Sequence, residues 1–100
     1  MIEVTETDDY RDWMFALRDR RAAARIEVRI SRLRMGNPGD VGPVGGGVSE
    51  MRIHYGPGYR VYYAERGSEV VLPLCGGDKS TQRDDIDRAK ALAKEWENGA

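Results

Sequence analysis

Apolar residues recur along the chain at two different spacings, and the change between them separates expected helices from expected strands. Residues 1–6 alternate between apolar and polar types, which predicts a short strand. Spacings of three and four residues then predict one helix up to residue 17 and a second over residues 18–35, together forming a hairpin. Their apolar positions are Tyr10, Trp13, Met14 and Leu17 in the first helix, and Ile26, Ile30 and Leu33 in the second.

Glycine and proline interrupt this spacing, and we expect a loop over residues 36–47. Alternating runs over residues 48–55 and 59–65 predict two strands joined as a hairpin by a Gly-Pro-Gly turn. A third strand is expected over residues 69–75. A final helix, capped by Ser80 or Thr81, has its apolar positions at Ile86, Ala89, Ala93 and Trp96.

The resulting order is strand, two helices, three antiparallel strands and a C-terminal helix, which predicts an α+β fold. One hundred residues suit a single domain spanning residues 1–100, because a chain this short forms one compact core. We expect the helices to pack on one face of a meandering antiparallel sheet. The other face would then be open for function.

The cysteine content and the hydropathy indicate the compartment. Cys75 is the single cysteine, which excludes an internal disulfide and fits a reducing cytosol, and we expect a buried thiol. No stretch approaches the roughly 18 apolar residues of a membrane span, and the first residues do not form a signal peptide. We therefore expect a soluble, cytoplasmic protein with no membrane partner.

The net charge of −1 hides a marked asymmetry. Residues 18–34 contain seven arginines against two acids, whereas the first twelve residues contain five acids against one arginine. The planar guanidinium of arginine can bind phosphate or carboxylate at two points. The basic stripe of the second helix is either a solvated face or a binding surface, and it comprises Arg21, Arg25, Arg29 and Arg32.

Alternation along the predicted hairpin places a polar group on the expected open face. Arg52 and His54 share one face of the first strand, and Arg60 and Tyr62 share that face of the second, register permitting. Lys79 follows the third strand and is expected at the edge of the group. Cations bind phosphate, aromatic rings stack on bases and histidine transfers protons near neutral pH, so the group suits RNA. The alternative is that the histidine and the tyrosine are structural packing residues.

Cleavage of RNA without a metal requires a base, an acid and positive charge, and the chain has candidates for each. His54 is the candidate proton-transfer group and Arg60 the candidate phosphate anchor. Arg52 and Lys79 are candidates for stabilising the charge of the transition state. The single histidine and single cysteine lack the short paired spacing of metal ligands, and the glycine-rich turns match no nucleotide-binding pattern. We expect no metal and no cofactor.

Three segments together carry a family resemblance. They are residues 47–53 (Gly-Val-Ser-Glu-Met-Arg-Ile), 58–63 (Gly-Tyr-Arg-Val-Tyr-Tyr) and 74–82 (Leu-Cys-Gly-Gly-Asp-Lys-Ser-Thr-Gln). With them the chain resembles the phage-derived, HigB-like branch of the RelE/ParE toxins, often called addiction-module killer proteins. The resemblance covers nearly the whole chain and implies a RelE-like fold.

The resemblance implies a toxin that binds the ribosomal A site, cleaves mRNA there and so inhibits translation. It also implies an antitoxin of helix-turn-helix type, through which alone the toxin would contact DNA. Arg60 matches the family's strand arginine at the scissile phosphate, Arg52 approximates an upstream basic residue, and Lys79 matches the basic residue after the last strand. His54 has no secure counterpart in RelE. Asp85 stands near that enzyme's C-terminal tyrosine, as a second candidate for the base or as a helix-capping acid.

Two other functions stay open on the same scaffold, since fold does not decide function. The first is a ParE-like toxin that poisons gyrase and cuts no RNA. The second is a degenerate toxin that acts only as an antitoxin-binding partner or co-repressor. The arginines of the second helix, Arg25, Arg29 and Arg32 among them, would contact ribosomal RNA, an acidic antitoxin segment, or both.

Overall fold

A computed structural model describes residues 2–99, and in this range five strands and three helices form an α+β fold, as predicted. A 3₁₀ turn, Lys79–Thr81, leads into the last helix. No helix in this range is both long enough and apolar enough to cross a bilayer. The elements are β1 Glu3–Val4, α1 Asp8–Ala16, α2 Arg20–Arg34, β2 Val41–Gly45, β3 Val48–Arg52, β4 Arg60–Arg66, β5 Val70–Gly77 and α3 Gln82–Glu97.

Each of the two N-terminal helices begins after a residue whose side chain accepts hydrogen bonds from backbone amides of the first turn. Thr7 caps α1 by accepting from the amide of Tyr10 at 3.0 Å, and Asp19 caps α2 by accepting from the amides of Arg21 and Ala22. The break between the two predicted helices therefore covers residues 17–19 and ends at the Asp19 cap. Thr81 is the N-cap residue of α3, as expected, although its side chain makes no capping bond.

The five strands form one mixed sheet in the order β1-β5-β4-β3-β2. Strands β2 to β5 form the expected antiparallel meander, but β1 pairs with β5 in parallel, with Glu3 opposite Val70. The prediction of a purely antiparallel sheet is wrong at this edge. Parallel strands need a long connection, and the chain between β1 and β5 contains two helices and three strands.

Strand β2 lies within residues 36–47, which we expected to be a loop. It pairs with β3, with Val41 opposite Met51 and an irregularity between Pro43 and Gly45. Proline is tolerated because β2 is the outermost strand on this side of the sheet. A Cβ atom at Gly42 would lie 2.8 Å from Nη2 of Arg52, so glycine leaves room for that guanidinium.

Apolar residues are buried on both faces of the sheet, as strand alternation predicts for side-chain direction. Met51 and Val61 point into a core with residues of α1 and α2, such as Ile26. Tyr62 and Leu74 point into a second core under α3. The expectation that the helices cover one face only is therefore wrong. Neither central face of the sheet is open, which leaves the ends of the strands for a functional site.

Candidate active site

Three of the five residues predicted to be catalytic meet at one end of the sheet, beside strands β3, β4 and β5. His54 follows β3, Arg60 begins β4, and Lys79 follows β5. Antiparallel pairing brings these three points to the same end of the sheet. There the three side chains and the turn of residues 55–58 line a pocket of about 350 Å³. We call this the sheet-end pocket.

Arg60 lines the pocket with a side chain that is almost wholly buried, only 8% of it being accessible. Nη1 lies 3.4 Å from the carbonyl oxygens of Gly58 and Tyr59, at the limit of a hydrogen bond. Nε is 3.6 Å from a carboxylate oxygen of Glu50, an ion pair without a hydrogen bond. Among residues 2–99 no group accepts a hydrogen bond from Nη2. That nitrogen is available to an anion in the sheet-end pocket.

Lys79 is the first residue of the 3₁₀ turn and is exposed. Asp78 fixes the start of this turn by accepting from the amide of Ser80 at 2.8 Å. The aliphatic stem of Lys79 lies on Gly58, which directs the side chain over the 55–58 turn. Its ammonium group forms no ion pair with any residue in the described range. It is the most accessible cation of the sheet-end pocket.

His54 lies on the rim of the pocket with 72% of its side chain accessible. Its Nε2 atom is 2.5 Å from Oδ2 of Asp40, and Arg52 donates to the other carboxylate oxygen at 2.8 Å. These two hydrogen bonds, that of His54 first, hold the pKa of Asp40 below its usual value. Nδ1 of His54 is left without a partner among residues 2–99.

A buried carboxylate lies behind the pocket. The side chain of Glu50 is only 4% exposed, accepts from Nε of Arg52 at 3.0 Å and from Gln82 at 2.7 Å, and pairs with Arg60. Arg52 and Arg60 stand directly opposite each other on β3 and β4, where like charges repel. Glu50 offsets this repulsion, and Gln82 ties the carboxylate to the first turn of α3.

Arg52 shares a face of the sheet with Arg60, as predicted, but it does not reach the sheet-end pocket. Its guanidinium bridges the carboxylates of Glu50 and Asp40, and the residue does not line the sheet-end pocket. It packs over Gly42, on the strand that the sequence did not predict. We therefore correct its role from direct contact with phosphate to positioning of the two carboxylates.

Tyr62 and Asp85 also differ from expectation. Tyr62 has no exposed surface because α3 covers its face of the sheet, so the prediction that its ring helps place RNA is wrong. Asp85 accepts from the hydroxyl of Thr81 at 2.5 Å and does not line the sheet-end pocket. Burial raises the pKa of Asp85 above its usual value. The structure therefore brings Asp85 together with Thr81 at the start of α3, and not with His54.

The basic stripe of α2 divides into one structural arginine and three exposed ones. Arg29 donates to the carbonyl oxygens of Pro38, Asp40 and Arg52, so its guanidinium is committed to the main chain. The expectation that it binds RNA is corrected accordingly. Arg25 stacks over the ring of Tyr55 at 4.6 Å, and Arg32 is exposed.

A second pocket, of about 400 Å³, lies beside these arginines. Arg25, Arg29 and Arg32 line it together with the half-exposed Val28, and His54 lies on its edge. His54 also lines the sheet-end pocket, so the two concavities adjoin at this residue. Together they form one basic surface from α2 to the end of the sheet, which we call the basic track.

The sequence assigned no functional role to Asp40, Glu50 or Gln82, although strand alternation places Glu50 on the same face as Arg52 and His54. Asp40 lies in a segment rich in glycine and proline that predicted a loop, and nothing in that pattern indicates its partner. Glu50 gave a usable signal, because a carboxylate two residues before Arg52 on the same strand face can contact it. Gln82 lies too far along the chain for spacing to indicate contact with Glu50.

Comparison with known proteins identifies a relative without a described activity. No protein-family model matches the chain. A protein of Haemophilus influenzae is 47% identical over 94 residues, which cover 94% of this chain and 95% of that protein. Its name, "Uncharacterized protein", states no function. The chain is thus similar to that protein over almost the full length of both.

Proposed function

We propose that this chain, which belongs to the same family as the Haemophilus influenzae protein, is the toxin of a toxin–antitoxin pair that cleaves mRNA on the ribosome. The observation that carries the proposal is the sheet-end pocket, where Arg60 Nη2, the ammonium of Lys79 and Nδ1 of His54 all lack partners within residues 2–99. Two cations and one imidazole at a single concavity are the groups that metal-independent RNA cleavage requires.

The RelE-like fold is part of the same proposal. The order of a strand, two helices, an antiparallel meander and a C-terminal helix agrees with what the resemblance to RelE/ParE toxins implies. The sheet-end pocket is formed by the motif segments that carry that resemblance, with Arg60 from one and Lys79 from another.

In the proposed reaction the 2′-hydroxyl of a ribose attacks the adjacent phosphorus. His54 accepts the hydroxyl proton at Nδ1 as the bond from O2′ to phosphorus forms. The bond from phosphorus to the 5′-oxygen breaks, and that oxygen takes a proton from the ammonium of Lys79. Arg60 Nη2 binds a non-bridging oxygen and stabilises the additional negative charge. The products are a 2′,3′-cyclic phosphate and a 5′-hydroxyl end.

The basic track gives the RNA backbone a route away from the cleaved bond. Arg32 and Arg25 are both exposed, the latter held over the ring of Tyr55, so both can neutralise phosphates beside His54. We place ribosomal RNA or the mRNA on this surface during catalysis. An antitoxin of helix-turn-helix type, encoded by a neighbouring gene, would bind the toxin in the cytoplasm. It would neutralise the activity by covering part of the basic track.

The test is to map the 5′ ends of cellular mRNA after brief induction of the wild type, Lys79→Ala and the control Lys94→Ala. Lys79 and Lys94 are both exposed, so neither substitution should disturb the core. The wild type and the control should produce new in-frame 5′-hydroxyl ends. Lys79→Ala should reduce these ends at least about tenfold, since one proton donor or charge contact typically contributes this much or more.

Two results would contradict the proposal. Growth arrest without new mRNA ends would identify a different target, such as the gyrase of ParE-like toxins. Expression of the wild type without growth arrest or cleavage would instead indicate an antitoxin-binding partner that has no toxicity of its own.

A further inference from the structure

Asp40 is held through both its carboxylate and its main chain, beside His54 on the rim of the sheet-end pocket. Arg52 Nη1 donates to Oδ1 at 2.8 Å, while Arg29 Nη2 donates to the carbonyl oxygen of Asp40 itself at 3.1 Å. Arg29 Nη1 also donates to the carbonyl oxygen of Arg52 at 2.5 Å. Both the main chain and the side chain of Asp40 are therefore fixed before any substrate binds.

The remaining oxygen, Oδ2, lies 2.5 Å from Nε2 of His54. An ionised carboxylate can only accept hydrogen bonds, so Nε2 must carry the proton in this contact. In the neutral ring one nitrogen is a donor and the other an acceptor. The acceptor is then Nδ1, the atom that has no partner among residues 2–99.

We propose that Asp40 is the positioning residue of the active site: it orients His54 and fixes the tautomer in which Nδ1 accepts the proton of the attacking hydroxyl. This inference rests on the function proposed above and assigns to Asp40 the contact that makes Nδ1 the base. The same arrangement, in which a carboxylate orients a histidine through one ring nitrogen so that the other reacts, serves many hydrolases.

Asp40 is suited to this role because the surroundings of His54 are otherwise cationic. In the part of the chain that the structure describes, Asp40 is the one acid among the charged residues that contact His54 or line the two adjoining pockets with it. The others are Arg25, Arg29 and Arg32 from α2, and Arg60 and Lys79 from the ends of the strands. No second carboxylate in this set can replace Asp40 as the acceptor.

The experiment combines RNA cleavage with ¹⁵N NMR of the imidazole, because His54 is the single histidine of the chain and its ring signals need no assignment. The variants are Asp40→Asn and a matched control, Asp9→Asn. Asp9 forms a comparably exposed carboxylate–arginine pair with Arg88, at 2.9 Å, away from both pockets. Asparagine keeps the size of the side chain but can offer either an oxygen or an NH₂ group to Nε2.

In the wild type and in Asp9→Asn we expect the neutral ring to show a protonated Nε2 and an unprotonated Nδ1. In Asp40→Asn the two nitrogen shifts should move toward each other as both tautomers become populated. Cleavage by Asp40→Asn should fall about 10- to 100-fold, as when a carboxylate that orients a metal-bound histidine is lost, with the loss in kcat and not in KM.

An unchanged tautomer together with unchanged cleavage in Asp40→Asn would overturn the inference. So would equal losses in Asp9→Asn, since these would reflect general destabilisation. The wild-type protein could also show a protonated Nε2 and yet cleave no RNA. That result would contradict the proposed function and the catalytic use of Nδ1, while it would support the contact of Asp40 with His54.

Discussion

Replacing Glu50 by glutamine should destabilise the protein far more than a typical surface substitution. The side chain keeps its size but loses the charge that faces Arg60, whose own side chain is 8% exposed. At 3.6 Å and an effective dielectric constant of about 20, Coulomb's law gives roughly 4.6 kcal/mol for this pair. Arg52 loses less, because it is one-third exposed and keeps its contact with Asp40.

Solvent rearrangement around the unpaired guanidinium should recover part of this energy, so we expect a loss of about 3 kcal/mol in the free energy of unfolding, at the lower end of what removing one partner of a buried ion pair costs. For a domain of this size that corresponds to a fall in Tm of about 15 °C. Urea unfolding followed by circular dichroism measures it directly. The control is Glu65→Gln, an exposed carboxylate on the adjacent strand β4 without an ion pair in the described range, which should change stability by less than about 0.5 kcal/mol.

A double-mutant cycle identifies the cause of the loss. If the unpaired charge of Arg60 is responsible, Arg60→Met should cost less in the Glu50→Gln background than in the wild type, by about 2 kcal/mol. Strictly additive losses, or a loss below about 1 kcal/mol for Glu50→Gln alone, would refute the view that Glu50 holds the arginine in place.

Three further predictions concern other parts of the molecule. Burial raises the pKa of Cys75 to about 12, so iodoacetamide at pH 8 should label this thiol only after unfolding; labelling of the native protein, followed by mass spectrometry, would contradict this. A Cβ atom on Gly76 would lie 2.3 Å from the ring of Trp13, so Gly76→Ala should lower the free energy of unfolding by about 1–3 kcal/mol in urea titrations. The pKa of Asp40 is lowered by His54 and Arg52, so its ionised form stabilises the fold above the ordinary aspartate pKa of about 3.9. The stability difference between wild type and Asp40→Asn should therefore be complete at pH 6 and shrink as the pH falls below about 4, and a constant difference across this range would oppose the assignment.

The periodic elements were predictable from sequence because their patterns reflect local geometry. Helical spacing identified α1, α2 and α3, and strand alternation correctly placed Met51 and Tyr62 on opposite faces of the sheet. Residues at the strand ends, including His54, Arg60 and Lys79, were grouped correctly, since adjacent antiparallel strands have their ends in common.

What the sequence left open depended on contacts between distant segments. Nothing local indicates that α3 packs on the opposite face from α1 and α2, and this packing buries Tyr62. Strand β2 carries proline and glycine, which normally break strands, and it forms because its position at the sheet edge tolerates them. Without β2 in place, the contact of Asp40 with Arg52 and His54 could not be foreseen.

We propose that the sheet-end pocket cleaves mRNA on the ribosome, and a reconstituted reaction would show this cleavage without other cellular components. Purified protein would be added to ribosomes programmed with a defined mRNA whose A-site codon is vacant, and the RNA ends mapped by primer extension, with Lys79→Ala and Lys94→Ala in parallel. We expect a cut within the A-site codon that leaves a 5′-hydroxyl end, appears with the wild type and Lys94→Ala, and is at least about tenfold slower with Lys79→Ala. Intact mRNA with the wild type, or equal cleavage by Lys79→Ala, would contradict it.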